Sequence, residues 1–420
     1  MQQTEYLDNL DESQRKAVEY IEGPSLVIAG AGSGKTRVLT TKIAFLTAHG
    51  LKPWNILALT FTNKAAREMR ERVAAIVGEG VAKYLVMGTF HSVFAKILRK
   101  EAPLLGYTSK FTIYDRTDST SLVKNIVKGM GLDVKVYKPS IVLSKISQAK
   151  NNLILAEEYF NDPDILKRDD SDNVPEVGHI YMKYQQRLKA SDAMDFDDLL
   201  VKMYILLTTH EEVRRKYVDR FNFVLVDEYQ DTNRTQARIL WLLTRERQML
   251  CVVGDDAQSI YAFRGADIGN ILNFTRIFPD ARLFKLERNY RSTKSIVDAA
   301  NSVIAHNRNR IPKDVYSLAG AGQKIEIYPT ESDVEEAERV VKSVCKTNAD
   351  NGVPYSEIAV LYRKNAQSRV IEEALRKSGV PYRVYGGLSF YERKEVKDAI
   401  AYFRMTVNPN DDEAFRRVVN

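Results

Sequence analysis

The amino-acid sequence predicts an α/β fold with a parallel sheet, and three observations carry that expectation. Short β-rich apolar runs at 26–29, 56–60, 85–88, 223–226 and 249–253 are separated by helix-like stretches, the alternation of a parallel sheet covered by helices. A glycine-rich run, Ala29-Gly30-Ala31-Gly32-Ser33-Gly34-Lys35-Thr36, follows the first of them and precedes a helix-like stretch. The run Phe223-Val224-Leu225-Val226 ends on two acids, Asp227 and Glu228.

The glycine-rich run has the strand–loop–helix setting that a phosphate-binding loop needs. Its glycines let successive backbone N–H groups converge on phosphate oxygens, Lys35 brings a positive charge to the β- and γ-phosphates, and Thr36 offers a hydroxyl to Mg2+. A bound nucleoside triphosphate is therefore expected. One departure is that Ala29 stands where G-x-x-x-x-G-K-[ST] begins with glycine. A glycine-rich turn that merely contains Lys-Thr is the competing reading, and the flanking strand and helix disfavour it. The acids Asp227 and Glu228 would end a buried strand; in phosphoryl-transfer sites such a strand-end acid holds Mg2+, and its neighbour orients or deprotonates the attacking water. An acidic turn after an apolar strand is common alone. Together with Lys35 and Thr36 it becomes a second nucleotide element.

Composition sets the outer bounds. A chain of 420 residues exceeds one ordinary domain, and at ~100–200 residues each two to four are expected. Hydrophobic residues at 44% and charged residues at 28% suit a soluble globular protein, and no apolar run reaches the ~18 residues of a membrane span. The start, Met1-Gln2-Gln3-Thr4-Glu5, has neither the basic nor the apolar part of a signal peptide, which points to the cytoplasm. Cys251 and Cys345 lack metal-ligand or redox spacing and are expected to be reduced core residues. A net charge of +7 favours a polyanionic partner, but only weakly for this length.

Along the chain, 94–217 breaks the strand pattern with long helical segments, a loop-like Asn161-Asp162-Pro163-Asp164 and an acidic stretch at 169–172. It is expected to be a helical insertion dividing a first α/β domain, 1–93 and 218–283. A second α/β lobe is expected from 284 to 385, with strands at 324–328, 358–362 and 382–385 around helices at 333–346 and 369–377. The last residues, Glu413-Ala414-Phe415-Arg416-Arg417-Val418-Val419-Asn420, form a helix-like run without evident capping, so the chain is expected to be cut from something longer.

Ordered motifs from Leu10 to about residue 410 resemble those of superfamily 1 helicases of the UvrD/Rep/PcrA type. The resemblance implies two RecA-like lobes, the second only in its first part, with 386–420 as the start of a further insertion that is truncated. Leu10-Asp11-Glu12-Ser13-Gln14 resembles the family's adenine-reading motif, implying ATP with Gln14 at the base edge. Thr60-Phe61-Thr62-Asn63-Lys64-Ala65-Ala66 and Gly88-Thr89-Phe90-His91-Ser92 resemble its early single-strand contact motifs, so that Phe61, Thr62, Asn63, Thr89 and His91 would meet DNA across the sheet top.

Gly254-Asp255-Asp256-Ala257-Gln258-Ser259-Ile260-Tyr261-Ala262-Phe263-Arg264-Gly265 is the most distinctive run after the phosphate loop. By resemblance Gln258 touches the γ-phosphate and its water, while Tyr261, Phe263 and Arg264 face single-stranded DNA; the family often has Trp where Phe263 stands. One short element contacting both ligands suits coupling of hydrolysis to movement. Core packing of Tyr261 and Phe263 is the alternative. Leu286-Glu287-Arg288-Asn289-Tyr290-Arg291-Ser292-Thr293 resembles the motif opening the second lobe, with Arg291 as an arginine finger and Tyr290 stacked on adenine. The implied nucleotide contacts are Gln14, the loop from Ala29 to Thr36, Arg37, Tyr290 and Arg291, with Thr36 and Asp227 on Mg2+. Lys35, Asp227, Glu228, Gln258 and Arg291 would be catalytic. Phe196, Arg363 and Asn365 also match family single-strand contacts, although aromatic and basic residues at such places are commonly structural.

Family members are longer, and their later motifs add a ribose contact, DNA contacts and another arginine at the γ-phosphate. Gly386-Gly387-Leu388-Ser389-Phe390-Tyr391-Glu392-Arg393 still matches, after which those motifs are missing, so one side of the nucleotide cleft is expected to be incomplete. The first functional reading is a DNA-dependent ATPase that moves 3′ to 5′ on single strands and separates duplexes at single/double-strand junctions, in repair or replication. The second is an ATP-switched single-strand-binding module without motor activity. A third, the motor subunit of a helicase–nuclease complex, is disfavoured because no run resembles a nuclease metal site.

Overall fold

The computed structural model describes residues 5–385 and 393–419. Their contacts group into two compact units, Met1–Gly322 with Asp398–Asn420, and Gln323–Lys397.

In the first unit the strands are β1 (Ser25–Ala29), β2 (Ile56–Thr60), β3 (Val86–Thr89), β4 (Thr112–Tyr114), β5 (Ala193–Asp195), β6 (Phe223–Val226), β7 (Leu250–Gly254), β8 (Arg282–Leu286), β9 (Arg288–Asn289) and β10 (Tyr316–Ser317). Six of them form one parallel sheet in the order β3-β2-β6-β7-β1-β8. All residues of β1, β2, β6 and β7 are buried, because helices cover both faces, and such strands are nearly continuous in apolar residues, here with Ser25 and Thr60 as polar exceptions. Alternate residues feed two cores. Leu26, Ile28, Leu57, Leu59, Val224 and Val226 pack on one face with Phe90, Phe94 and Met203. Val27, Ala29, Ile56, Ala58, Leu225 and Cys251 pack on the other with Val38, Ile43 and Met69. Each fully buried Leu or Ile contributes ~1.5–3 kcal/mol.

Because every strand runs the same way, their C-terminal ends share one edge. There β1 leads into Gly30, β2 into Phe61, β6 into Asp227, β7 into Asp255 and β8 into Glu287. The edge strand β8 was not expected from the sequence. Its alternation of exposed Arg282, Leu283 and Lys285 with buried Phe284 and Leu286 lacks the all-apolar signature of its neighbours. It pairs with β1 over its whole length.

The stretch 94–217 is mainly helical, with its own core around Tyr114, Val123, Ile146, Tyr181 and Tyr184. It differs from the expectation in two respects. It holds a two-stranded parallel sheet, β4 with β5. Nor do contacts separate it from the main sheet, since helices Phe90–Glu101 and Asp198–Thr209 place Phe94, Ile97, Leu199 and Met203 in the sheet's own core. At the join, the fully buried Lys150 ammonium lies 2.6 Å from Asp195 and 2.9 Å from Asp198. Burial pulls that ammonium down, but the two carboxylates outweigh it and hold it above the usual lysine range.

From Asp398 on, the chain returns to this helical segment. Arg404 pairs with Asp118 at 2.7 Å and with Asp411 at 2.9 Å. The Asn408 amide donates to the carbonyls of Ser191 and Asp192.

In the second unit helices Asp333–Asn351 and Asn365–Lys377 pack through Ala337, Val341, Val344, Ile371 and Leu375. The strands expected at 324–328, 358–362 and 382–385 are not formed. A strand exists through its ladder, and with no neighbour to pair with among the described residues these runs leave Ile327 87% and Leu361 91% exposed. The contacts of the first unit run on to Gly322, because β8 joins the first sheet and β9 pairs with β10. The matched stretch 386–392 lies outside the described residues, and Arg393 is the first residue described beyond it.

Replacing Lys150 by Met leaves Asp195 and Asp198 buried without a counter-charge. Breaking a buried pair from one side costs ~3–5 kcal/mol, so K150M is expected to lose about that much in urea unfolding at pH 7.5. A loss below ~1 kcal/mol would show that these acids take up protons without strain.

Candidate functional site

The phosphate loop leaves β1 at Gly30 and enters helix Lys35–Ala48. Gly32 and Gly34 have φ of +69° and +89°, the left-handed region that glycine adopts without penalty. Space imposes the same choice. A Cβ on Gly32 would lie 2.7 Å from the Arg291 Cβ, and one on Gly34 2.7 Å from the Gln14 Nε2. Ala29 ends β1 fully buried, so its methyl group is housed in the sheet before the loop bends.

The loop's carbonyls are held from outside. Asn289 Nδ2 donates to the Ala31 carbonyl at 2.6 Å, Gln14 Nε2 to that of Ser33 at 2.9 Å, and the Tyr290 N–H to that of Gly32 at 2.9 Å. The first-turn N–H groups of the helix at Lys35 and Thr36 have no intrahelical acceptors, which makes this helix end an anion site.

Gln14 is fully buried beneath the loop. Its Oε1 accepts from the Asp11 N–H at 3.2 Å in a capping box that starts helix Glu12–Glu19. Asp11 Oδ2 in turn accepts from the Tyr290 hydroxyl at 2.6 Å. Burial, then Asp11, pushes that hydroxyl up to about 12. Arg37 follows Thr36 on the helix and reaches the Asn9 carbonyl at 3.4 Å. The sequence thus has Gln14, Arg37 and Tyr290 at one place, with Gln14 supporting the loop itself. Arg291 is exposed, its N–H tied to Asn289 Oδ1 at 2.8 Å.

Asp227 and Glu228 follow β6. Glu228 has φ +50°, a conformation uncommon outside glycine that costs of order 1 kcal/mol or more; it aims the carboxylate so that Oε2 lies 3.8 Å from Lys35 Nζ. Asp227 is 5% exposed, and burial, then the Glu228 charge, pushes its carboxyl up to about 7. Burial and Glu228 also push Asp231 up to about 6, and Asp231 Oδ1 is buried with no hydrogen-bond partner among the described residues. Three acids around one lysine form a site short of positive charge. Their hard oxygen donors are of the kind that Mg2+ takes, one or two carboxylates with phosphates and water completing its shell.

Gln258 lies on the short turn after β7 and donates Nε2 to Asp255 Oδ2 at 2.7 Å. Gln230, which the sequence reading left without a role, bridges the two strand ends. Its Nε2 donates to Glu228 Oε2 at 2.8 Å and its Oε1 accepts from the Asp255 N–H at 2.9 Å. A Cβ on Gly254 would meet that Oε1 at 2.5 Å, so the glycine makes room for the bridge. The position of Gln230 two residues after Glu228 was the available signal.

Beyond Gln258 the chain carries an exposed aromatic strip. Phe61 and Tyr261 have ring centroids 5.0 Å apart, Tyr261 and Phe263 6.0 Å, and the Arg264 guanidinium lies over both at 5.3 and 5.6 Å. Phe263 is 78% exposed and Tyr261 half-buried, so neither is a core residue. His91 stacks on the exposed Phe196 at 3.8 Å, and burial lowers the His91 imidazole to about 4, leaving it neutral at physiological pH. Thr62 and Thr89 cap helices Asn63–Val77 and Phe90–Glu101 by accepting from Ala65 and Ser92 N–H groups; Asn63 is exposed in the first turn. Arg363 and Asn365 lie in the second unit, where Asn365 begins a helix.

A parallel sheet with a glycine loop after one strand and an acidic pair after another defines a P-loop NTPase of RecA-like architecture. The model of the UvrD/REP helicase N-terminal domain matches residues 10–279, and that of the UvrD-like helicase C-terminal domain matches 284–420; the chain belongs to the UvrD/REP helicase family. Among its curated relatives, an ATP-dependent DNA helicase PcrA of Staphylococcus epidermidis is 45% identical over 98% of this chain and 56% of its own length. Proteins of the same name from Leuconostoc citreum and Staphylococcus aureus are each 44% identical, over 98% and 99% of this chain and 54% and 56% of their own lengths. The chain thus spans about half the length of these relatives.

The raised Asp227 carboxyl sets a pH dependence. Folded protein keeps that proton to about pH 7, whereas an unfolded chain releases it near ~4. Between these values the native state binds more protons, so stability falls as pH rises. Without Mg2+, D227N is expected to melt on the order of a few degrees above the wild type at pH 8, and by less at pH 5. Equal gains at both pH values would detach the effect from the charge.

Proposed function

We propose that this chain is the ATP-hydrolysing, DNA-gripping part of a DNA helicase, acting in the cytoplasm on single-stranded DNA and at single/double-strand junctions. The observation that supports it most is the turn after β7. Within a few residues it carries Gln258, bonded to Asp255 and so linked through Gln230 to Glu228, and the partly exposed strip of Tyr261, Phe263 and Arg264. The PcrA relatives are named as ATP-dependent DNA helicases, and the same activity, moving 3′ to 5′ in repair or replication, is the reading put forward for this chain. In domain terms, 1–93 with 218–283 would be the first lobe, 94–217 its insertion, 284–385 part of the second lobe and 386–420 the start of a second insertion.

In this reading the loop N–H groups and Lys35 hold the ATP phosphates, and Tyr290 stacks on adenine beside Gln14 and Arg37. Thr36 and Asp227 would hold Mg2+, which would supply positive charge against the phosphate oxygens. Glu228 takes the proton of the attacking water, Gln258 orients that water, and Arg291 meets the charge that develops on the γ-phosphate. The aromatic strip stacks on bases, His91 with Phe196 adds a second uncharged platform, and the helix ends at Thr62, Asn63 and Thr89 face the phosphates. Arg363 and Asn365, in the second unit, are proposed as further DNA contacts on the family resemblance alone.

ATP turnover with and without single-stranded DNA is the test: strong stimulation is expected, and an unstimulated rate with retained DNA binding would favour the ATP switch instead. E228Q is expected to keep ATP binding and lose on the order of 10²–10⁴ in stimulated turnover; normal hydrolysis by it would remove Glu228 from the chemistry. Y261A/F263A is expected to abolish most of the stimulation while ATP affinity stays within about twofold, each lost stack being worth ~1–3 kcal/mol. Undiminished stimulation would place the DNA path elsewhere.

A further inference from the structure

A buried ion cluster adjoins Gln258. Lys313 Nζ lies 3.0 Å from Asp255 Oδ1 and 2.5 Å from Asp256 Oδ1, and all three side chains are at most 6% exposed. The Ile311 N–H adds a bond to Asp256 Oδ2 at 2.9 Å. Lys313 belongs to a short segment that also touches the nucleotide side of the sheet. Asp314 donates its N–H to Glu287 Oε1 at 2.8 Å. Val315 lies so close to Gly30 that a Cβ there would come within 2.6 Å of it.

The chemistry of the cluster bears on which way Gln258 faces. A carboxylate only accepts hydrogen bonds, so the amide nitrogen of Gln258, not its oxygen, must face Asp255 Oδ2. The amide oxygen is then turned away from Asp255 and free to accept from a water. That polarity holds while the Asp255 carboxylate keeps its rotation, which requires its second oxygen to be fixed. Lys313, together with the Ala257 N–H at 3.1 Å, supplies the fixing bonds on Oδ1. Without the lysine, the adjacent buried carboxylates of Asp255 and Asp256 would lose the cation between them, and Oδ1 of Asp255 would keep only the Ala257 N–H. A rotated Asp255 carboxylate lets the Gln258 amide turn over.

We propose that Lys313 is a positioning residue for ATP hydrolysis: through Asp255 it sets the orientation of the Gln258 carboxamide, and it ties that orientation to the segment 311–315 lying against the phosphate loop. This rests on the hydrolytic function proposed above.

The test is a double-mutant cycle on the full chain, measuring DNA-stimulated kcat and the KM for ATP for the wild type, K313M, Q258A and K313M/Q258A. K313M is expected to lower kcat on the order of 10–100-fold with KM within about twofold, and the double variant to be no slower than Q258A alone. Losses that multiply, an unchanged kcat in K313M, or a change confined to KM would each overturn the proposal. Should K313M not fold, the charge-balanced D256N/K313M takes its place in the same cycle, with D256N alone as its reference. A wild type that hydrolyses no ATP would overturn the hydrolytic function itself, whereas active wild type with multiplying losses overturns the role of Lys313 alone.

Discussion

The parallel register of the six-stranded sheet is the constraint on which the rest depends. Parallel strands need crossovers, the crossovers are helices on both faces, and all chain reversals into those helices therefore fall on one edge. Residues far apart in sequence, Gly30, Phe61, Asp227, Asp255 and Glu287, emerge in a row there. Chemistry at that edge needs no special fold, only suitable residues in the first few positions after each strand. The loop after β1 is the most demanding case, because Asn289 and Arg291 press on it and leave no room for a side chain at Gly32.

The strand ends are tied laterally by polar side chains rather than by apolar packing. Lys35 faces Glu228, Glu228 accepts from Gln230, Gln230 accepts from the Asp255 backbone, and Asp255 accepts from Gln258 and Lys313. In a buried setting such bonds are directional and costly to leave unmade. A displacement at one end therefore breaks a bond or moves the next group. Apolar contacts at the same places would slide with little change in energy. Under the proposed function this is the property needed between a phosphate sensor and a DNA grip, which have to bias one shared element.

Most of this was legible in the sequence for a physical reason. The buried strands β1, β2, β6 and β7 are nearly continuous apolar runs, and the residues after them combine glycine, lysine and acids in the pattern of a phosphate site. The edge strand β8 was not legible, since an edge needs only one buried face and Arg282 and Lys285 hide its pattern. The expected strands of the second unit show the converse, because 324–328 and 358–362 have strand-like composition and no ladder. Composition states what a strand would tolerate, while pairing depends on a neighbour. Side-chain partners such as Gln230, Asn289 and Lys313 were illegible as well. Gln230 and Asn289 sit inside visible motifs, but their roles depend on which carbonyl or carboxylate folds against them. Lys313 lies in a run with no periodicity at all.

The exposure of the aromatic strip carries one more consequence. Leaving Phe263 78% exposed forgoes much of the ~1.5–3 kcal/mol that burying a phenylalanine contributes, so the fold derives little from keeping it there. A base stacked on such a ring gains ~1–3 kcal/mol. Under the proposed function the full strip of Phe61, Tyr261 and Phe263 would hold a strand firmly, yet moving by one nucleotide would exchange each ring's partner for the next and need break only one stack at a time. Stacking also takes any base. A grip of that kind is strong in sum, shallow per step and indifferent to sequence, whereas hydrogen bonds to base edges would have made every step a different height.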